Sequence, residues 1–107
     1  MAHISTMEEL GSRALDFSLS NTNPGVGGPS VSLSALNEHP ALLVAFICNH
    51  CPYVIHIRDS FVSFVLDYRE KGLAVVAICA NDVRTHPDDS PKKMAEEASK
   101  FGYPFPY

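Results

Sequence analysis

The sequence predicts a single α/β domain built around one strand-helix-strand unit, and three observations predict it. Two runs, Ala41 to Cys48 and Leu73 to Ala80, are continuously apolar, the pattern of strands buried on both faces of a parallel sheet. Between them lies an amphipathic segment of the length that a parallel crossover requires, which implies a right-handed βαβ unit. The third observation is size. At 107 residues, 46% hydrophobic and 19% charged, the chain suits one globular core and is too apolar for a disordered tail.

The elements follow in order. Residues 1–13 read as an N-terminal tail, with Met1 to Thr6 as a vector remnant, and residues 14–107 as the domain. Leu15 to Leu19 alternates apolar and polar side chains, and Val31 to Leu33 does so again. Asn21 to Ser30 holds three Gly and two Pro and must be loop, so a loose hairpin results. Ser34 is placed to cap a short turn over Ala35 to Glu38, which Pro40 stops. The first apolar run is then a central strand. After it, Val54, Ile57, Phe61, Phe64 or Val65, and Tyr68 recur at three and four residues, while Arg58, Asp59, Ser63, Asp67 and Arg69 fill the opposite face. Pro52 suits the first turn of that helix and Gly72 the position past its end. The second apolar run is the parallel partner strand, and Asn81 to Ser90 is polar and turn-rich. Ser90 caps a second helix with Pro91 at its first position and Gly102 after its end, burying Met94, Ala95, Ala98 and Phe101. Tyr103 to Tyr107 is extended, because each Pro pushes its predecessor out of the helical region.

Several partner classes are excluded. Eight basic against twelve acidic residues give a formal charge of −4, with the basic residues scattered, so no nucleic-acid surface is visible. No apolar run reaches the roughly 18 to 20 residues of a membrane helix. There is no secretory h-region, and three cysteines are too few for a disulfide framework, so a soluble, cytoplasmic setting is expected. There, two cysteines separated by two residues are catalytic or metal-binding more often than structural.

Cys48-Asn49-His50-Cys51-Pro52 sits where the first buried strand ends and the long helix begins. A thiol at a helix N-terminus faces unpaired N–H groups and the positive end of the dipole, so Cys48 is expected to be the acidic, nucleophilic thiol. Cys51, one turn on, is placed to resolve a mixed disulfide. His50 lies inside the ring that a Cys48–Cys51 disulfide closes and tunes the Cys48 thiolate, which favours an intermediate or oxidising potential. No organic cofactor is needed, since the sulfur pair holds the electrons. Nor is a metal expected: structural zinc takes four ligands, and His56, His86 and Cys79 lack the spacing of a second pair.

The remaining candidates read blandly. Cys79 is a small buried hydrophobe in mid-strand. His56 is solvated on the polar face of the helix, and His39 and His86 are loop residues without a role. Tyr53 either lines a docking surface for partner peptides or packs. Asn81-Asp82 ends the second strand at the carboxyl edge, where α/β folds place their sites, and there forms a turn. Asp88-Asp89 are solvated, and Asn49 offers no charge to compare with that of His50.

A buried strand ending in Cys48-Asn49-His50-Cys51-Pro52, then a long helix, then a second buried strand, resembles the thioredoxin-like superfamily. Leu15-Asp16-Phe17-Ser18-Leu19 followed by Val31-Ser32-Leu33-Ser34-Ala35-Leu36 is similar to the branch shared by peroxiredoxin-like proteins and membrane-tethered thiol-disulfide reductases. Phe46 to Val54, with Asn81-Asp82, Asp88-Asp89-Ser90-Pro91, Met94 and Tyr103-Pro104-Phe105-Pro106-Tyr107, resembles a bacterial redoxin group of thiol-disulfide oxidoreductases. The resemblance implies a thioredoxin-like fold with Cys48 as nucleophile and Cys51 as resolving cysteine. It also implies an incomplete fold: an N-terminal hairpin, the βαβ unit and a further helix, lacking the cis-Pro loop, C-terminal hairpin and closing helix. Pro104 and Pro106 do not match the cis-Pro position. Such a chain is expected to be marginal or to pair as a homodimer.

The function expected is thiol-disulfide exchange with protein or small-molecule disulfides and thiols. A peroxiredoxin-like peroxidase is the first alternative. It is disfavoured because the Pro and Thr that precede a peroxide-reactive cysteine by seven and three residues are Ala41 and Ala45 before Cys48, and Val44 and Cys48 before Cys51. The second alternative is a redox-inert interaction module.

Overall fold

The computed structural model describes residues 8–107, so the expectation for Met1 to Thr6 lies outside the described residues. The elements run β1 (Ser18–Ser20), β2 (Ser30–Ser32), β3 (Ala41–Phe46), α1 (Pro52–Arg69), β4 (Leu73–Ile78) and α2 (Pro91–Phe101). β1 and β2 form the expected antiparallel hairpin with Leu19 opposite Val31, and β3 pairs with β4 in parallel from Ala41–Leu73 to Phe46–Ile78. Gly72 makes that register possible. Its φ is 97°, and a Cβ there would meet the Pro40 ring at 2.9 Å, so glycine alone lets α1 turn directly beside the start of β3. Ser90 caps α2 by accepting from the Lys93 N–H, and Gly102 ends it at φ 62°. The turn after β2 is capped differently from the expectation: Ser32 Oγ, not Ser34, accepts the Ala35 N–H, because the turn begins at Ser34 itself.

The core gathers Val65, Val75, Ala77, Met94 and Ala98 around Tyr103, Phe105 and Tyr107. The C-terminal segment is therefore central. Phe105 is 1% exposed, the Ala77 N–H donates to the Pro106 carbonyl, and Asn23 Nδ2 donates to the carbonyls of Tyr103 and Phe105. Asn21 anchors the opposite side, donating to the Val26 and Gly28 carbonyls and accepting the Tyr107 N–H.

Three burial expectations are corrected. β3 is half-buried rather than enclosed: among the described residues it pairs with β4 alone, and Phe46 is 69% exposed. α1 is rotated from its expected face. Phe61, Val62 and Val65 face the core, while Ile57, Phe64 and Tyr68 are largely exposed. Arg58 is drawn inward, because its guanidinium lies 3.4 Å over the Phe101 ring and bonds Glu97 at 2.9 Å. Ala95 and Phe101 of α2 are only partly buried. Among the described residues no helix is long and apolar enough to cross a membrane.

Truncating Phe105 to Ala is expected to cost about 3–5 kcal/mol, whereas Phe46→Ala on the open side of β3 changes stability by about 0.5 kcal/mol or less. Urea midpoints at constant m-value check the contrast.

Candidate active site

Three segments converge beyond the carboxyl ends of β3 and β4: residues 48–51, the turns over 81–90, and Tyr107. Asp89 joins them. It sits in a short 3-10 turn, Pro87–Asp89, and is 2% exposed. Its Oδ1 accepts the Asn49 N–H at 2.7 Å, its Oδ2 accepts Asn81 Nδ2 at 2.9 Å, and His50 Nδ1 lies 2.6 Å from that same Oδ2. Asn49 is held twice more, donating through Nδ2 to the Asp88 carbonyl and accepting the Tyr107 hydroxyl at 2.7 Å. Burial alone would raise the Asp89 pKa, but the Asn81 amide, the Asn49 N–H and His50 together outweigh it and leave the carboxyl below its ordinary value.

Asp89 was expected to be solvated. The signal that finds it is local: successive residues of a 3-10 turn point about 120° apart, so of two adjacent acids just before a helix cap, one turns inward. Asn49 and Asn81 were likewise given no part in the site, and both are partners of that carboxylate. His86, also without an expected role, stacks on His50 with ring centroids 5.0 Å apart.

All three cysteines are free. Cys48 and Cys51 line one open groove of about 190 Å³ together with Phe46, Val54, Ile78 and Asn81. Their electrostatics reverse the sequence expectation. α1 starts at Pro52, so its N-cap is Cys51 and not Cys48. The Cys51 side chain makes no full capping hydrogen bond, yet the Val54 and Tyr53 N–H groups lie close enough to its sulfur to hold its thiol below the ordinary value. Cys48 is raised, chiefly by burial and further by the Asp89 charge, against the opposing N–H groups of Cys51 and His50. Cys79 falls just past the end of β4, half-buried, and burial pushes its thiol up. His39, Tyr53 and His56 are exposed and outside the cluster.

A protein-family model described as the AhpC/TSA family matches residues 10–107. The chain belongs to the AhpC/TSA family. Among curated proteins none matches. Two solved structures resemble this family member over most of its length. One is a hypothetical protein from Sinorhizobium meliloti 1021, 42% identical at a TM-score of 0.87, covering 95% of this chain and 54% of its own. The other is an uncharacterized conserved protein from Geobacillus kaustophilus, 41% identical at a TM-score of 0.86, covering 94% of this chain and 52% of its own. The chain thus spans about half the length of both. A putative thioredoxin from Neisseria meningitidis, 21% identical at a TM-score of 0.60 over 87% of this chain and 55% of its own, shows the fold to be thioredoxin-like.

Two predictions test this AhpC/TSA site. Asp89→Asn is expected to cost about 1–3 kcal/mol at neutral pH, since buried donors lose a charged acceptor. A carboxyl with a lowered pKa stabilises fully above its unfolded value and loses that contribution as pH falls through the folded value. The difference between wild type and D89N, read from denaturant melts, should therefore be constant above about pH 4 and shrink below it. Second, iodoacetamide should alkylate the Cys51 thiol of C48S faster at pH 7 than the Cys48 thiol of C51S, with the lower apparent pKa at Cys51.

Proposed function

We propose that the chain exchanges electrons with protein or small-molecule disulfides through the Cys48–Cys51 pair. One observation carries this reading: two free thiols share the wall of one open groove, and an anchored histidine-carboxylate pair stands beside one of them. Family and fold support the wider class, a thiol-based oxidoreductase.

The electrostatics favour Cys51 as the attacking thiolate, the reverse of the order expected from the sequence. Its sulfur attacks one sulfur of the substrate disulfide, and that S–S bond breaks. A mixed disulfide forms at Cys51, and the first substrate thiolate leaves and takes a proton from water. Cys48 then passes its proton to His50, whose Nδ1 side is held by Asp89, and attacks the Cys51 sulfur. The second substrate thiolate leaves and the Cys48–Cys51 disulfide remains. One substrate disulfide has become two thiols, and two protein thiols one disulfide. A raised thiol suits the second step, since it stays protonated until the mixed disulfide brings its target within reach.

Peroxide reduction draws less support from the site. The side chains three residues before Cys48 and Cys51 are Ala45 and Cys48 itself, neither of which supplies a hydroxyl to orient peroxide.

Equilibrated with glutathione buffers in the presence of a chelator, the protein should show one two-electron midpoint. C48S and C51S should each lose it and C79S should keep it. His50→Ala should move the midpoint about 30 mV or more towards reducing potentials, roughly tenfold in the exchange constant. A chain without a midpoint is redox-inert, and consumption of peroxide by the reduced protein at rates above those of free thiol would favour the peroxidase reading.

A further inference from the structure

We propose that the reduced site is also a metal site, binding one divalent cation of the zinc type through Cys48, Cys51, His50 and Asp89. The spacing along the chain argued against a metal because no second ligand pair is visible. Folding supplies one. Ligand atoms of Cys48, His50 and Asp89 all lie within 4.8 Å of one another, and Cys51 lines the same groove as Cys48. Around a tetrahedral zinc, bonds of about 2.0–2.3 Å place neighbouring ligand atoms about 3.3–3.8 Å apart, so these three need to close by only about 1 Å, and Cys51 turns in from the groove wall as the fourth ligand. Two sulfurs, one imidazole and one carboxylate are a donor set that suits zinc better than calcium or magnesium, which take oxygen.

The surroundings are those of a ligand set held in place from outside. Asp89 is buried and fixed by the Asn49 N–H and Asn81 Nδ2, and in turn orients His50. On binding, the cation takes the place of the proton between His50 Nδ1 and Asp89 Oδ2, whose 2.6 Å separation opens to admit it. Two thiol protons leave to solvent as the metal-sulfur bonds form. With both thiolates ligated, neither attacks a disulfide. When a substrate disulfide oxidises the pair, the two electrons pass to it, the Cys48–Cys51 bond forms, and the cation leaves with its sulfur ligands gone.

The inference concerns the site of the exchange reading but stands apart from it, and the test separates them. Reduced, chelator-stripped protein is titrated with zinc against a chromophoric chelator, and with cobalt for its thiolate charge-transfer band. Expected are one equivalent per chain, a band reduced in C48S and C51S, affinity at least tenfold weaker in C51S and D89N, no change in His56→Gln, and no uptake by the oxidised protein. C51S alters one atom at the partly exposed N-cap of α1, so it remains informative if D89N fails to fold. Zinc uptake that survives in C51S, or that is equal in the oxidised protein, would overturn the proposal. A defined redox midpoint without zinc binding also sinks it while leaving disulfide exchange standing, whereas zinc binding without a midpoint supports it and removes the exchange reading.

Discussion

A carboxylate removed from water costs several kcal/mol unless its oxygens are met by donors, and Asp89 is met from three directions at once. The Asn49 N–H comes from the loop after β3, the Asn81 amide from the end of β4, and His50 from between the two cysteines. Satisfying one buried charge therefore fixes the spacing of the two strand ends and the turn that leads into α2. The C-terminal segment is drawn into the same arrangement, since Tyr107 reaches Asn49 with its hydroxyl while its ring packs in the core. Folding and the presentation of the sulfur pair are one problem with one solution.

Burial on one side and the start of α1 on the other separate the two thiols chemically. Cys48 is partly buried and feels the Asp89 charge, whereas Cys51 stands at the start of α1 where amide N–H groups favour the thiolate. Two identical side chains three residues apart thus acquire different acidities from the two structures they touch: a loop tied to an anion, and a helix with an open N-terminus.

Much of the apolar surface lies on α1 and the open side of β3. Arg58 occupies an inward position that an aliphatic residue would otherwise take, because stacking on Phe101 and pairing with Glu97 hold it there. Ile57, Phe64 and Tyr68 lie on the outward side of the same helix. By its apolar composition β3 reads as an enclosed strand, yet among the described residues it pairs along one edge only.

The order of elements, the hairpin, both helix starts and the βαβ unit were legible in the sequence, because each follows from local signals: apolar runs, Pro at first turns, the Ser90 cap, and Gly72 and Gly102 past helix ends. The cysteine pair was legible as well, since its chemistry is carried by residue type and spacing. Which cysteine is acidic depended on which sulfur the fold buries and which it sets against the Tyr53 and Val54 N–H groups, and periodicity does not carry that. Asp89 beside His50, Asn81 beside Asp89, and Tyr107 beside Asn49 are separated by 39, 8 and 58 residues, and only tertiary packing decides such meetings. A carboxylate looks solvated in sequence because water is its default partner, and it becomes a buried anchor only where the fold brings three donors to it.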